Sequence, residues 1–447
     1  MSTICAISTP YGIGGIAVIR VSGTDAIAIA DRLYHGRKSL SEASANTVHY
    51  GTIEYNGEIL DEVLVSVFRA PHSFTGEDCV EIACHGSLYI QQTILQWLIR
   101  SGCSMAKAGE FTKRAFLNGK LDLTEAEAVA DLIAAQTKAE KDLALSQLRG
   151  GISQEIESLR NRLLEFTSLV ELELDFADHE ELEFADRTQL NQLAQDIEAK
   201  LTALTDSFQA GNAIKKGIAV AIIGATNAGK STLLNALVGE ERAIVSDIQG
   251  TTRDTIEDTL VINGILFRFI DTAGIRETHD TIESMGIERS IQAAKKANII
   301  LQVIDSTQPI DTLPQKNELQ GKSIIKIYNK IDLVDKEQLQ LPNDGKTICL
   351  SAKYDNLQAL RDLLVNEASQ LFDTRNAVTI SNTRHYEALL RALNAIRKVK
   401  QGLQEQLSGE FLTLDLHDCL QALGEITGQI TSQEVLNNIF TKFCIGK

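Results

Sequence analysis

Over the first quarter of the chain, short apolar runs are broken by polar residues and turn formers. Ile16–Val21 and Glu58–Phe68 read as strands, and Leu88–Ile99 reads as a helix. Loops such as Ala70-Pro71-His72-Ser73 and Thr75-Gly76-Glu77-Asp78 separate such segments. Residues 1–118 therefore predict a β-rich α+β domain. The pattern changes near Leu123. Thr124-Glu125-Ala126-Glu127 predicts a capping box, with Thr124 as N-cap and Glu127 reaching back to it. Beyond it, Leu148, Ile152, Ile156, Leu159, Leu163, Phe166 and Val170 recur at helical spacing and predict one apolar stripe. From about Gly211, the runs Ile218–Ile223, Phe267–Ile270, Ile299–Ile304 and Ile324–Tyr328 alternate with helical segments. That is the rhythm of a parallel sheet covered by helices. It closes near Phe372, and after Asn382 the period is helical again, with Leu389, Leu393 and Ile396 on one face. The simplest arrangement is a discontinuous α-helical domain, 119–210 and 376–447, with an α/β domain at 211–375 inserted between its halves.

A chain of 447 residues, 44% hydrophobic and 23% charged, has ordinary globular composition, which excludes wholesale disorder and collagen-like structure. No apolar run reaches the roughly 18 residues of a membrane span. The opening MSTICAISTPYGIGG has no basic region before an apolar stretch, so it does not read as a signal peptide, and the cytoplasm is the expected compartment. The formal net charge of −17 is opposite to that of a typical nucleic-acid binder, so any RNA contact comes from a local patch or a partner. The acidic run Glu171–Asp186 reads as a solvated helix end or loop. Seven scattered cysteines, an odd number, argue for reduced thiols.

The candidate chemistry is concentrated in the α/β region. Gly224-Ala-Thr-Asn-Ala-Gly229-Lys230-Ser231 fits the phosphate-binding loop pattern, between an apolar strand and a helix that opens on Thr232. Its glycines let backbone N–H groups curl around phosphate, Lys230 reaches the β and γ phosphates, and Ser231 offers a hydroxyl to Mg²⁺. Asp271-Thr272-Ala273-Gly274 follows a second apolar strand, with Asp271 placed to reach Mg²⁺ through water and Gly274 near the γ-phosphate. Between them, Gly250-Thr251-Thr252-Arg253-Asp254 offers Thr252 to the same Mg²⁺. Asn329-Lys330-Ile331-Asp332 ends another strand. An Asp carboxylate accepts both N–H donors of a guanine edge and finds no such pair on adenine. Ser351-Ala352-Lys353 follows the next strand and backs the base. In this order, four of them at a strand end, the five segments are similar to those of the translation-factor class of GTP-binding proteins and predict a GTPase.

The residue after Gly274 is Ile275, where Ras-like relatives place a water-orienting Gln. Another group must hold the water. Glu283 is one candidate; its alternative role is that of an acid favoured by a helix N-terminus. Arg253 and Arg276 flank the site as surface or switch contacts rather than arginine fingers. Asn227 is placed to help hold a monovalent cation where a finger's charge would fall.

The ends of the chain carry a closer resemblance. GIGGIAVIRVSG (12–23), TGEDCVEIACHG (75–86), GEFTKRAFLNGKLDL (109–123) and the terminal Phe443-Cys444-Ile445-Gly446-Lys447, with GTTRD and the insertion pattern, resemble the MnmE (TrmE) family of tRNA-modification GTPases over essentially the whole chain. The resemblance implies an N-terminal α+β tetrahydrofolate-binding domain that forms a homodimer, a discontinuous helical domain, and an inserted Ras-like P-loop G domain. It implies a K⁺-stimulated GTPase acting with an FAD-dependent MnmG partner, as a heterotetramer. The pair installs (carboxymethyl)aminomethyl groups at C5 of the wobble uridine, position 34, of certain tRNAs, using 5-formyl- or 5,10-methylene-tetrahydrofolate. Carried onto this chain, the folate contacts fall on Arg20, Glu81, Lys120 and Lys447. The K⁺ site falls on Asn227, Ser246, Ile248 and Thr251, and the Mg²⁺ ligands on Ser231 and Thr252. The water-positioning acid falls on Glu283. The nucleotide contacts fall on Asn227, Ala228, Gly229, Lys230, Ser231, Thr232, Ser246, Asp247, Ile248, Thr251, Thr252, Asp271, Thr272, Ala273, Gly274, Asn329, Lys330, Asp332, Ser351, Ala352 and Lys353.

Other patterns are weaker. Gly12-Ile-Gly14-Gly-Ile-Ala17 mimics a dinucleotide fingerprint, but Val18-Ile19-Arg20-Val21 continues as strand rather than helix. Without the resemblance, Arg20 reads as a structural ion pair. Cys79 and Cys84 on one strand point to opposite faces, which argues against a zinc site with His85. Cys444 sits four residues from the end, but a terminal Lys is atypical of a prenylation box. The rival function class is a regulatory GTPase switch acting on RNA or ribosome assembly. Such a switch usually carries an appended basic module, which the acidic balance here does not suggest. A kinase built on the phosphate loop leaves the Asn-Lys-x-Asp segment without a purpose.

Overall fold

The computed structural model describes residues 2–175, 187–239, 258–270, 292–308, 322–334, 344–371, 378–441 and 443–446. They fall into two compact units, one of residues 1–134, 144–198 and 391–447, the other of 135–143 and 199–390.

The first unit opens on a seven-stranded sheet of order β3-β4-β5-β6-β2-β1-β7. Its strands are β1 (Ile4–Ile7), β2 (Ile16–Ser22), β3 (Tyr34–Gly36), β4 (Thr47–Tyr55), β5 (Glu58–Phe68), β6 (Cys79–His85) and β7 (Ser104–Met105). All pairings are antiparallel except β1 with β7. Strand alternation sorts the two faces. Ile19, Val21, Val65, Val67, Val80 and Ile82 are fully buried in one core with residues of α1 (Ala26–Asp31) and α2 (Leu88–Arg100). On the other face, Tyr50 pairs with Leu64, and Leu64 with Ala83. That face leaves Ile16, Val48, Tyr50 and Leu64 at least half exposed, at 71%, 63%, 64% and 50%. Cys79 and Cys84, both buried, alternate across β6 as the spacing requires. Among the described residues no cluster of His, Cys, Asp or Glu could hold a metal ion.

After α3 (Glu110–Leu117), the chain becomes helical: α4 (Leu123–Ala134), α5 (Lys138–Leu148), α6 (Gly151–Asp175) and α7 (Arg187–Asp206). The capping box of α4 lies two residues earlier than the sequence predicts. Asp122 Oδ1 accepts from Glu125 N at 2.8 Å, and Glu125 Oε2 accepts from Asp122 N at 2.9 Å. Asp caps at least as well as Thr. The Thr124 hydroxyl is then spent on Asp122 Oδ1 and Ser153 Oγ, while Glu127 is buried within the helix. The apolar stripe is also shorter at its start. Leu148 ends α5, Gly150 takes φ +81°, and the stripe proper begins at Ile152 on α6. Ile152, Ile156, Leu159, Leu163, Phe166 and Val170 are then all buried.

The second unit holds a six-stranded sheet of order β13-β12-β11-β8-β10-β9. Its strands are β8 (Ile218–Ile223), β9 (Asp258–Ile262), β10 (Ile265–Phe269), β11 (Ile299–Asp305), β12 (Ser323–Asn329) and β13 (Thr347–Cys349). All neighbours run parallel except the edge strand β9. Every residue of β8 is buried, as expected of a central parallel strand covered on both faces. This unit also contains α8 (Phe208–Lys216), α9 (Lys230–Gly239) and α10 (Gln358–Leu371). The chain finishes with α11 (Thr383–Gln404), α12 (Gly409–Thr427) and α13 (Gln433–Phe440). Leu389, Leu393 and Ile396 of α11 are buried together, as their spacing predicts. Among the described residues, no helix is long and apolar enough to cross a membrane.

Candidate functional site

In the second unit, three loops leave the carboxyl ends of parallel strands β8, β12 and β13, the edge where open α/β sheets bind ligands. The first loop runs from Gly224 to Gly229 and enters α9 at Lys230. Lys230 Nζ donates to Gly224 O at 2.8 Å and Ala225 O at 2.7 Å, so the side chain folds back over the loop. Burial lowers its pKa from the ordinary lysine value. Asn227 is exposed and holds φ +62°. The Asn227 and Ser231 side chains make no hydrogen bond among the described residues, which suits oxygen donors kept for cations.

Asn329, at the end of β12 and only 3% exposed, ties this loop to the third one. Its Nδ2 donates to Ala228 O at 2.8 Å, and its Oδ1 accepts from Ala352 N at 2.9 Å. The closeness explains Gly229. A Cβ there would stand 2.2 Å from Asn329 Nδ2, on a backbone with φ +97° that other residues rarely adopt. The next residue, Lys330, is left-handed at φ +63° and donates from Nζ to Asp305 Oδ2 at 2.7 Å. Burial opposes ionisation of Asp305, but its hydrogen bonds from Lys330 and Thr307 outweigh it and hold the carboxyl below the usual value. Asp332, expected from the sequence to meet a base edge, is exposed. In the third loop Ser351 N donates to Asp355 Oδ2 at 2.7 Å, and Tyr354 and Asp355 donate back to Ser351 O. Lys353 Nζ lies 4.9 Å from the centre of the Tyr354 ring. Hydrogen bonding to Tyr354, and more weakly the Asp332 charge, raises the Lys353 pKa.

The structure thus brings together Asn227, Ala228, Gly229, Lys230, Asn329, Lys330, Ser351 and Ala352, with Ser231 half-buried and Thr232 exposed at the start of α9. Ser246, Asp247, Ile248, Thr251, Thr252, Asp271, Thr272, Ala273, Gly274, Glu283 and Lys447 lie outside the described residues. Asp305 was missed from the sequence. Its only signal was an acid closing an apolar strand.

The first unit carries a second constellation. Arg20 and Glu81 are register partners on β2 and β6, joined by Nε and Nη2 to Oε1 at 2.9 Å and 2.8 Å. The Arg20 guanidinium stands 5.2 Å from the Phe74 ring centre and 5.5 Å from that of Phe111, two aromatics that sequence reasoning did not single out. Lys120 is exposed and donates to Pro71 O at 3.1 Å, in the segment that carries Phe74. That segment is anchored from α3: Arg114, with a side chain 4% exposed, pairs with Glu77 at 3.1 Å, and Asn118 Nδ2 donates to Thr75 O at 2.7 Å. The C-terminal segment reaches the same region. Ser8 Oγ donates to Gly446 O at 3.2 Å and Gly109 N to Cys444 O at 3.3 Å, just beyond β1, whose Ala6 pairs with Arg20.

Comparison with known proteins agrees across the chain. Residues 3–120 match the family described as GTP-binding protein TrmE N-terminus, and residues 123–444 match the MnmE helical domain. A protein of Parabacteroides distasonis named tRNA modification GTPase MnmE is 55% identical over 461 aligned positions, covering 100% of each chain. One of the same name from Flavobacterium johnsoniae is 50% identical, covering 100% of this chain and 99% of its own. Among solved structures, the FeoB G-domain of Methanococcus jannaschii matches 34% of this chain and 98% of its own, at 23% identity and a TM-score of 0.26.

Proposed function

Because the chain belongs to the MnmE family and is a GTPase acting in tRNA modification, we propose that it couples K⁺-stimulated GTP hydrolysis to the modification of C5 of the wobble uridine at position 34 of certain tRNAs. In this reading it works in the cytoplasm with an FAD-dependent MnmG subunit as a heterotetramer, and draws a one-carbon unit from 5-formyl- or 5,10-methylene-tetrahydrofolate. The observation that supports the nucleotide half best is the double bond of Asn329. By holding Ala228 and Ala352 at once, it fixes the phosphate loop relative to the base loops. Such preorganisation is what makes positioning effective in phosphoryl transfer.

The assigned roles follow from chemistry. Asp332 reads the guanine edge, and Lys230 meets the β and γ phosphates. Ser231 and Thr252, with Asp271, would hold Mg²⁺, while Asn227, Ser246, Ile248 and Thr251 would hold K⁺. Bound there, the two cations would supply positive charge against that developing on the phosphates. Glu283 orients the attacking water in place of the absent Gln. For folate, the Glu81 carboxylate accepts from pterin N–H groups. Arg20, Lys120 and Lys447 answer the glutamate tail, and the exposed Phe74 ring supplies an apolar wall. The exposed apolar face of Ile16, Val48, Tyr50 and Leu64 supports association of two copies through the first unit.

The test is steady-state GTP hydrolysis in KCl and in NaCl at matched ionic strength. Faster turnover in KCl is expected, and Glu283→Ala should keep nucleotide affinity while losing most turnover. Equal rates in both salts count against the cation site, and parallel loss of affinity and turnover in Glu283→Ala counts against its water-positioning role.

A further inference from the structure

We propose that Asp305, which closes β11, is a positioning residue for guanine recognition and acts by anchoring Lys330. The two oxygens of its carboxylate have different partners. Oδ1 accepts from Thr307 N at 2.9 Å and Thr307 Oγ1 at 2.7 Å, which closes the local turn after the strand. Oδ2 is left for Lys330 Nζ at 2.7 Å. The pair is sheltered, with side chains 11% and 31% exposed. β11 and β12 run parallel with Asp305 opposite Asn329, so the sheet register itself delivers the carboxylate to the residue before Lys330.

Lys330 is thereby held at both ends. Its backbone sits in the left-handed region directly after the locked Asn329, and its ammonium rests on Asp305. The four-carbon stem between those points is fixed two residues before Asp332, the residue offered to the base edge. A lysine stem is apolar and can lie along the flat face of a purine. Without the anchor it samples many rotamers, and binding the base must order it. With the anchor that entropy is already spent when the protein folds, which favours nucleotide binding. The inference rests on the proposal that the Asn-Lys-x-Asp segment meets guanine.

The test is a double-mutant cycle on the full chain, reading KM and kcat for GTP and affinity for GDP. Asp305→Asn and Lys330→Met, which keeps the stem and loses the ammonium, are each expected to raise KM roughly tenfold, the equivalent of the rotamer freedom of a lysine, with kcat within about twofold. The double variant is expected to be no worse than either single one, because both break the same link. Thr307→Val, which touches only the other carboxylate oxygen, is expected to leave KM unchanged. A double variant whose KM is the product of the two single effects would overturn the anchoring role. So would a normal KM in Asp305→Asn beside a raised one in Lys330→Met, with the guanine reading left intact. A normal KM in Lys330→Met would overturn the anchoring role alone, whereas an unchanged preference for GTP over ATP in Asp332→Ala would remove the guanine reading on which it rests. Lys330→Met leaves Asp305 and its turn intact, so the test holds even if Asp305→Asn folds poorly.

Discussion

Replacing Asn329 by Ala removes two hydrogen bonds from a site that is 3% exposed. The Ala228 carbonyl and the Ala352 amide would then lack their partners. A buried backbone group left unpaired costs about 1–3 kcal/mol, so the two together cost roughly 2–6 kcal/mol. Water entering the vacated space recovers part, which favours the lower end, about 2–3 kcal/mol. That loss should appear locally as easier opening of the loops. Hydrogen exchange at the Ala352 amide should accelerate about 30- to 140-fold, since each 1.4 kcal/mol is a factor of ten. The affinity for GDP should fall in the same variant. Asn329→Asp separates the two bonds. It keeps an acceptor for Ala352 N but sets a carboxylate oxygen against Ala228 O, so protection at Ala352 should survive while nucleotide affinity drops. If Asn329→Ala left Ala352 exchange within threefold of the parent and GDP affinity intact, the claim that this side chain couples the loops would be wrong.

Arg114→Met should destabilise the first unit by roughly 3–5 kcal/mol, because it strands the carboxylates of Glu77 and Glu110 that the buried guanidinium now pairs. The single tryptophan, Trp97, lies in that unit's core, so urea unfolding followed by its fluorescence reads the effect, and a change under about 1 kcal/mol would refute it. Gly446→Ala should release the C-terminal segment, since a Cβ there would stand 2.2 Å from Ile7 O at φ +94°; carboxypeptidase should then trim the chain faster, and unchanged trimming would contradict the docking. Asp305 has a folded pKa below its ordinary value of 3.8, so its stabilising contribution is fully present above that value and is lost as pH falls through the folded pKa. The stability gap between the parent and Asp305→Asn, from denaturant titrations at several pH values, should therefore narrow below about pH 3.8 and be constant above it.

What the sequence determined by itself was local. The limits of β5 and β8 were legible from apolar runs and their flanking turns, because a strand's alternation or burial is written into consecutive residues. The candidate phosphate loop and the Asn329–Asp332 and Ser351–Lys353 segments were legible as candidates for a similar reason, as the chemistry proposed for them needs particular residues at fixed short spacing. The capping box was misplaced by two residues because Asp122 and Thr124 both have capping side chains. Asp122 takes the cap, and the Thr124 hydroxyl instead meets Ser153, 29 positions away. Leu148 fell outside the helix stripe because a left-handed Gly150 interrupts a period that side-chain polarity alone continues. Only the tertiary structure decided the long-range partnerships. Asn329 meets Ala228 across 101 positions, Arg20 meets Glu81 across 61, and Asp305 meets Lys330 across 25. Those pairings depend on strand order and register. Both are set by how the apolar faces pack together, so no spacing along the chain encodes them.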